Sequence, residues 1–374
     1  MILSKYPFVV QKEIIDNMNH LDLLRLSFVS KNLKKLIMSS QKKTSKSIRS
    51  IEYQYNRIDG TCVVYLIDES KPLVKYHRRS SRTEDDVIMR IVKRDEDKND
   101  NNVQFNVSGK MTDFSFSDDY KYPIASYVEC DKESVFQSIH NHFLDVFGDA
   151  VEYNWEEPDW NDPEEFFVPF IPKLKNVSFF IGMYLDGHFS DVRNFEKFFS
   201  SSPVAKTILL NVNKKMKPLS PESKFFDAES VYIESTRINT PDFVRHFRGR
   251  QIIFECNRYR KSKLIDIVNR WKSGEAFQNL EYVQIMIYNG TRFRHLVLNE
   301  IGAKFIDANR QPPKHTVRDC VDWYDRNDTT SPLISHLYIV RETDNRAASV
   351  FMMGGAFFIG VWDKTEEEFL RMVE

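Results

Sequence analysis

Five short runs of β-branched and aromatic residues recur through the second half of the chain. They are VSFFI at Val177–Ile181, TILLNV at Thr207–Val212, SVYI at Ser230–Ile233, QIIFE at Gln251–Glu255 and YVQIMI at Tyr282–Ile287. Their composition favours strands, and they restart every 20 to 30 residues or so, the rhythm of a repeated strand-and-helix unit. Amphipathic helical stretches lie between them, at Val192–Phe199, Pro241–Phe247 and Lys263–Trp271. Strands joined this way run parallel, with right-handed crossovers that place the helices on one face.

Two architectures satisfy this spacing. One is a leucine-rich-repeat-like β-α repeat domain, degenerate here because the strict leucine consensus is absent. The other is a two-layer α/β sheet without curvature. The expected fold class is α+β or α/β: three N-terminal helices, a strand-rich middle and this repeat-like part.

Composition narrows the function classes. At 374 residues, with 41% hydrophobic and 29% charged, the chain is expected to fold, as two or three domains. Its 29 Phe and 16 Tyr supply core bulk, and its 12 glycines argue against Gly-rich phosphate loops. The net charge of -1 predicts no general attraction to nucleic acid or acidic lipid. The charge is uneven, basic over 31–49 and 237–263 and acidic over 152–165. Cys62, Cys130, Cys256 and Cys320 are far apart with no CxxC pair, so they read as thiols of a reducing compartment rather than a zinc site. No apolar segment is long enough to cross a membrane, and no signal-peptide pattern opens the chain. A cytoplasmic or nuclear location is expected.

The first forty residues are unusually apolar. Val10, Ile14 and Met18 mark one helical face after Pro7. Leu21, Leu23, Leu24, Leu26, Phe28 and Val29 follow. Ser30 suits an N-cap for a third helix carrying Leu33, Leu36 and Ile37. Three helices of this length cannot bury so much apolar surface among themselves. The excess calls for a covering surface, in this chain or in another protein.

The order Pro7, Glu13-Ile14-Ile15, Met18, Leu21, Asp22-Leu23-Leu24-Arg25-Leu26, Val29, Lys31 and Leu36-Ile37 resembles an F-box. It departs from that pattern at Ser30, where many F-boxes have Cys, and at Leu33, near a common Trp. The resemblance implies a three-helix motif that binds the Skp-family adaptor of a cullin-RING ubiquitin ligase. It would place Pro7, Val10, Ile14, Ile15, Leu21, Leu24 and Leu26 at or near the adaptor surface.

With that resemblance the chain is expected to divide into an F-box at 1–40, a linker and strand-rich region with a helix at 41–150, and a repeat-like domain at 151–374. Residues 39–50 (SSQKKTSKSIRS) read as a hinge or a frayed helix end. VIMRIV at Val87–Val92 and VQFNV at Val103–Val107 flank a charged turn and suggest an antiparallel hairpin. Lys132–Phe147 has Val135, Ile139, His142 and Phe143 on one helical face. His140 and His142, two apart on a helix, diverge too far to share an ion and read as satisfied histidines. The acidic stretch EYNWEEPDWNDPEE at 152–165 reads as a boundary or a long surface loop.

Residues 225–287 also resemble the type 2 F-box-associated domain of the nematode-expanded F-box family. AESVYIES, TPDFVRHF, RQIIFEC and LIDIVNRWKSGEAFQNLEYVQIMI carry the likeness. The tail SHLYIVRETDNRAASVFM with FFIGVW fits that family's closing β-hairpin, its turn near Asp344-Asn345-Arg346. The resemblance implies recruitment of a target protein, of unstated identity, for ubiquitylation.

No catalytic motif demands an enzyme: GxSxG, HExxH, the P-loop and GxGxxG are all missing. Gly354-Gly355 reads as a turn. No metal or cofactor is expected. Residues 245–263 interleave basic and aromatic side chains, and Arg245, Arg248, Arg250, Arg258 and Arg260 form a candidate partner patch for an acidic protein. The chain therefore reads as a non-catalytic substrate-recruiting subunit that holds the Skp-family adaptor and cullin assembly at one end and a target at the other. A repeat-type protein-binding scaffold outside any ligase is one alternative. An RNA or DNA binder acting through 245–263 is another, and the balanced charge disfavours it.

Overall fold

A computed structural model describes residues 5–40, 47–56, 58–68, 82–94, 102–116, 120–156, 170, 172–185, 196, 199–200, 206–212, 219–235, 244–256, 259–288, 294–318 and 330–373. The chain forms two compact units. The first comprises residues 1–74, 79–159 and 169–179, and the second chiefly residues 180–374.

The first unit opens with three helices, α1 (Phe8–Asp16), α2 (His20–Val29) and α3 (Lys31–Ser40). Pro7 starts α1 by offering its carbonyl to the Val10 and Gln11 amides. Asn19 caps α2: its Oδ1 accepts from the Asp22 amide at 2.8 Å. The Ser30 hydroxyl accepts from the Leu33 amide at 3.4 Å, the cap anticipated for α3.

The sheet of this unit contains β1 (Ile48–Asn56), β2 (Thr61–Asp68), β3 (Val87–Lys93), β4 (Val103–Val107), β5 (Lys110–Ser115), β6 (Ile124–Tyr127) and β7 (Glu152–Glu156). Residues 177–179 of β8 (Val177–Leu185) pair with β7. The order is β8-β7-β1-β2-β3-β6-β5-β4. One long helix, α4 (Lys132–Phe147), supplies most of the core from one face, with Val135, Phe136, Ile139, Phe143, Val146 and Phe147 all buried.

The anticipated β3–β4 hairpin does not form. Strand β3 pairs with β2 and, in parallel, with β6. Strand β4 pairs instead with β5, across Ser108 and Gly109, which both take positive φ. That tight turn fixes the local partner of β4.

The acidic stretch beginning at residue 152 also departs from the surface-loop expectation. Its first five residues are β7, parallel to β1, and Tyr153, Trp155 and Glu156 are buried. Trp155 stacks against Tyr53 and Tyr55. Its remainder, 157–165, lies outside the described residues, as does 41–46 of the anticipated hinge. Residues 39–40 end α3 and 48–50 begin β1.

The two histidines of α4 are satisfied in different ways. His140 Nε2 lies 2.5 Å from the Lys175 carbonyl and Nδ1 lies 2.8 Å from the Tyr53 hydroxyl. A carbonyl only accepts, so Nε2 carries the proton and Nδ1 accepts from Tyr53. His142 Nε2 is 2.7 Å from Ser27 Oγ, whose own proton goes to the Leu24 carbonyl. Burial depresses both imidazoles, His140 to about 4 and His142 to about 3.

The unfolded chain takes up those two protons near the ordinary histidine value of 6.5, whereas the folded chain resists them until far lower pH. Protons then favour the unfolded state, and stability falls on acidification below about 6.5, by roughly 1 kcal/mol per pH unit for each ring. Urea midpoints measured between about pH 7 and about pH 5 are expected to drop accordingly. A flat midpoint contradicts neutral burial.

In the second unit, residues 180–185 of β8, β9 (Thr207–Val212), β10 (Ser230–Ser235), β11 (Gln251–Cys256) and β12 (Tyr282–Ile287) pair in chain order, all parallel. These are the five runs singled out in the sequence. All six residues of β11 are buried. Helix α5 (Lys261–Lys272) buries Leu264, Ile267, Val268 and Trp271. Of the other two anticipated helices, Val192–Phe199 lies largely outside the described residues, and the described part of Pro241–Phe247, residues 244–247, is a turn with Val244 and Phe247 buried.

The parallel series ends at β12, followed by α6 (Arg294–Glu300), β13 (Lys304–Phe305), β14 (Lys314–His315), β15 (Leu333–Ile334), β16 (Leu337–Val340), β17 (Arg346–Met353), β18 (Ala356–Thr365) and α7 (Glu366–Arg371). Strand β18 pairs antiparallel with β12, β17 with β18, β16 with β17 and β13 with β16. The unit is thus a mixed sheet, parallel then antiparallel, rather than a run of identical units. The β16–β17 turn carries Asn345 at φ 58°, and Arg341 grips Asp344 within it at 2.9 Å. Gly354, at φ 60°, makes the β17–β18 turn anticipated for Gly354-Gly355. A Cβ on Gly355 would lie 2.0 Å from the Ile287 carbonyl oxygen, so only glycine lets the strands approach there.

Candidate functional site

The apolar excess of the first forty residues is divided between two destinations. Ile15, Leu23, Leu24, Phe28, Leu36 and Ile37 are buried within the first unit. Their cover includes α4 and the β4–β5 hairpin of the same chain. Phe28 stacks on His142 with ring centroids 4.2 Å apart and packs on Phe114 at 5.0 Å. Lys34 of α3 pairs with Asp145 of α4 at 2.7 Å. The Arg25 guanidinium donates to the Lys121 carbonyl.

The second destination is solvent. Phe8 is 59% exposed, Val9 76% and Val29 63%. Tyr6, Pro7 and Val10 are also exposed, while Ile14, Leu21 and Leu26 are half-buried. An apolar run at the very start of a helix, open to water on a folded unit, is the kind of surface that marks a protein contact.

Of the seven residues anticipated at the adaptor surface, Pro7 and Val10 are exposed and Ile14, Leu21 and Leu26 are half-buried. Ile15 and Leu24 do not reach that surface: they are 1% and 0% exposed, turned into the first unit. Phe8 and Val9, which sequence reasoning missed, are the most open apolar side chains of α1. The helical phase that placed Val10 and Ile14 together gave no means of telling the inner stripe from the outer one.

The second unit offers a different surface. A cavity of about 820 Å³ is bordered by Arg248, Arg250, Glu281, His315, Arg318 and Trp362, among others. Its arginines are largely spoken for. Arg248 Nε donates to Asp227 at 2.5 Å and Nη1 to the Pro221 carbonyl at 2.8 Å. Arg250 holds Glu281 through two hydrogen bonds of 2.7 and 2.6 Å and also contacts Glu229. The hydrogen bonds to Glu281, chiefly, hold the Arg250 guanidinium above its ordinary range, against burial.

Of the five arginines in the anticipated patch, Arg245 and Arg260 are exposed and Arg258 lies outside the described residues. Arg248 and Arg250 sit beside three carboxylates, so the strand end is close to neutral rather than a cationic grip. A Cβ on Gly249 would fall 1.9 Å from the Ala228 carbonyl oxygen, so glycine is required between the two arginines.

Comparison with known families finds an F-box domain at residues 7–45, which covers all three helices of the N-terminal group. No curated protein and no solved structure matches the chain. The F-box match is to one domain, and the strand-rich α+β body that follows lies outside it. An F-box suggests, in general terms, a substrate-adaptor role in an SCF ubiquitin ligase.

Proposed function

We propose that this chain is a substrate-recruiting subunit of an SCF-type cullin-RING ubiquitin ligase, acting in the cytoplasm or nucleus. The observation that carries the reading is the open apolar strip on an F-box whose other side is already packed. The buried stripe of Ile15, Leu24, Phe28 and Ile37 anchors the helices, which leaves Phe8, Val9, Val10 and Val29 free for a Skp-family adaptor. F-box domains bind such adaptors in SCF complexes.

The mechanism is positional and needs no covalent chemistry from this chain. One face is held by the adaptor and cullin assembly, and the second unit holds a target within reach of charged ubiquitin. Residues 225–287, with their likeness to a type 2 F-box-associated domain and their β-α repeat-like series, supply the target-binding part. The anchoring of α2 to α4 through Ser27, Phe28 and His142 makes the F-box continuous with the first unit, which suits a scaffold that must hold geometry.

The test is reconstitution. The full chain, a purified Skp-family adaptor and the cullin-RING core are mixed and separated by gel filtration. Co-elution as a stoichiometric complex supports the reading. Elution of the chain alone, at micromolar concentrations of every component, contradicts it.

A further inference from the structure

We propose that the cavity of the second unit takes the guanidinium of an arginine side chain presented by a peptide segment of the target. This rests on the target-binding role proposed above and names the chemistry that the cavity would recognise.

The cavity opens at the starts of three parallel strands. Glu229, Arg250 and Glu281 all border it, and each stands immediately before β10, β11 or β12. Ser230, Gln251 and Tyr282 are in register across those strands, so the three preceding residues lie side by side. One guanidinium therefore stands between two carboxylates. All three nitrogens of Arg250 are engaged, Nε and Nη2 with Glu281 and Nη1 with Glu229. The carboxylates outnumber it by one charge and keep lone pairs to offer.

The shortage at this end of the cavity is one of donors. His315, on the cavity wall and 5% exposed, lies with Nε2 2.9 Å from the Val361 carbonyl. A carbonyl only accepts, so Nε2 carries the proton and Nδ1 is left as an acceptor. That Nδ1 is buried and has no partner among the described residues. Burial, chiefly, holds the imidazole below its ordinary value, although the Glu281 charge pulls the other way. Gln251, next to Arg250 and 1% exposed, donates through Nε2 to the Arg318 carbonyl at 2.9 Å, and its Oε1 is also buried without a partner. Buried acceptors are ordinarily satisfied. A guanidinium supplies what is missing, five N–H donors and one positive charge.

The wall beside His315 suits the same group. Trp362 meets the His315 ring edge-on at 4.9 Å, and its indole N–H already donates to Ser349 Oγ at 2.9 Å. What Trp362 has left for a ligand is the ring, and tryptophan is the best aromatic partner for a cation. The remaining charges at the cavity set its polarity. Arg248 is matched by Asp227 and Arg346 by Asp363. Arg318 is exposed, with no ion pair from its side chain among the described residues. An anionic ligand would find that one cation while facing Glu229 and Glu281. An arginine beside an acidic residue of the same peptide satisfies both sides.

The experiment is an NMR titration of the full chain, without adaptor, using N-acetyl-arginine methylamide and following the Trp362 indole N–H. Saturable shifts are expected, with a dissociation constant in roughly the millimolar range for so small a probe. N-acetyl-glutamate methylamide is expected to leave that signal unmoved. Glu229→Gln keeps an oxygen for Arg250 but removes one charge, and affinity for the arginine probe should fall about tenfold. Arg318→Gln, at an exposed site, removes a repelling charge and should raise affinity about threefold.

The absence of a saturable shift with the arginine probe, equal binding of the two probes, or unchanged affinity in Glu229→Gln overturns the proposal. Should Glu229→Gln melt early, Arg318→Gln decides, and an affinity that does not rise overturns it. No adaptor is present, so each of these results leaves the adaptor reading standing. Failure of the chain to bind a Skp-family adaptor likewise leaves the cavity result standing.

Discussion

Replacing Val9 and Val10 by aspartate is expected to abolish capture of a Skp-family adaptor while leaving the fold intact. The two positions lie in the first turn of α1, both open to solvent, Val9 most of all at 76%. Carboxylates near a helix N-terminus are favoured by the unpaired amides and the helix dipole, so the helix itself should not suffer. A partner docking on that strip must instead desolvate two introduced charges. Affinity should fall by a hundredfold or more, about 3 kcal/mol. Thermal melts should match wild type. Leu24→Asp offers no such separation of effects. Leu24 is wholly enclosed, so a charge there would unfold the unit before it reported on binding. Deleting residues 1–40 has the same defect, because it would strip the cover from Phe114 and His142.

The largest stability effect is expected at Arg82. Its guanidinium joins two buried glutamates that are distant in sequence, Glu52 on β1 and Glu156 on β7. Nε reaches Glu52 at 2.7 Å and Nη1 reaches Glu156 at 2.7 Å, and both carboxylates are only 6% exposed. Burial opposes the arginine's charge, but the paired carboxylates outweigh it and hold its pKa above the ordinary range. The guanidinium also lies 5.2 Å from the centre of the Tyr65 ring. Arg82→Met would leave two carboxylates of like charge in adjacent parallel strands without the guanidinium that bridges them. The expected cost is about 3 to 5 kcal/mol, the range for breaking a buried pair from one side. Adding Glu52→Gln and Glu156→Gln to Arg82→Met should restore part of that loss, since the repulsion between the two buried carboxylates disappears. Urea denaturation of the single and triple variants checks both statements. A single variant within about 1 kcal/mol of wild type would mean that the cluster is open to water.

Legibility in the sequence followed the range over which each decision is made. The five parallel strands were visible because each is a compact run of β-branched and aromatic residues that needs no distant partner to be recognised. Helix α4 was visible by its apolar period. The pairing of β3 with β6 was not, since the choice depends on a neighbour more than thirty residues away and on the Ser108-Gly109 turn that took β4 elsewhere. Strand β7 was hidden by its acidity. Arg82 meets Glu156 inside the unit, a contact 74 residues apart along the chain. At the candidate site, the three helices and their excess of apolar surface were plain. Which stripe faced inward was decided by packing into the first unit, so Ile15 and Leu24 could not be told from Val10 by periodicity. The basic look of 245–263 dissolved for the same reason: Asp227, Glu229 and Glu281, which quiet Arg248 and Arg250, lie on other segments.

Hydrogen exchange of the full chain with and without a purified Skp-family adaptor tests the central claim most directly. Binding is expected to slow exchange across residues 8–29, the α1–α2 strip, while α4, already enclosed, changes little. An adaptor at saturating concentration that leaves residues 8–29 exchanging as in the free chain, or that protects only the second unit, would contradict the assignment of that strip as the ligase-binding face.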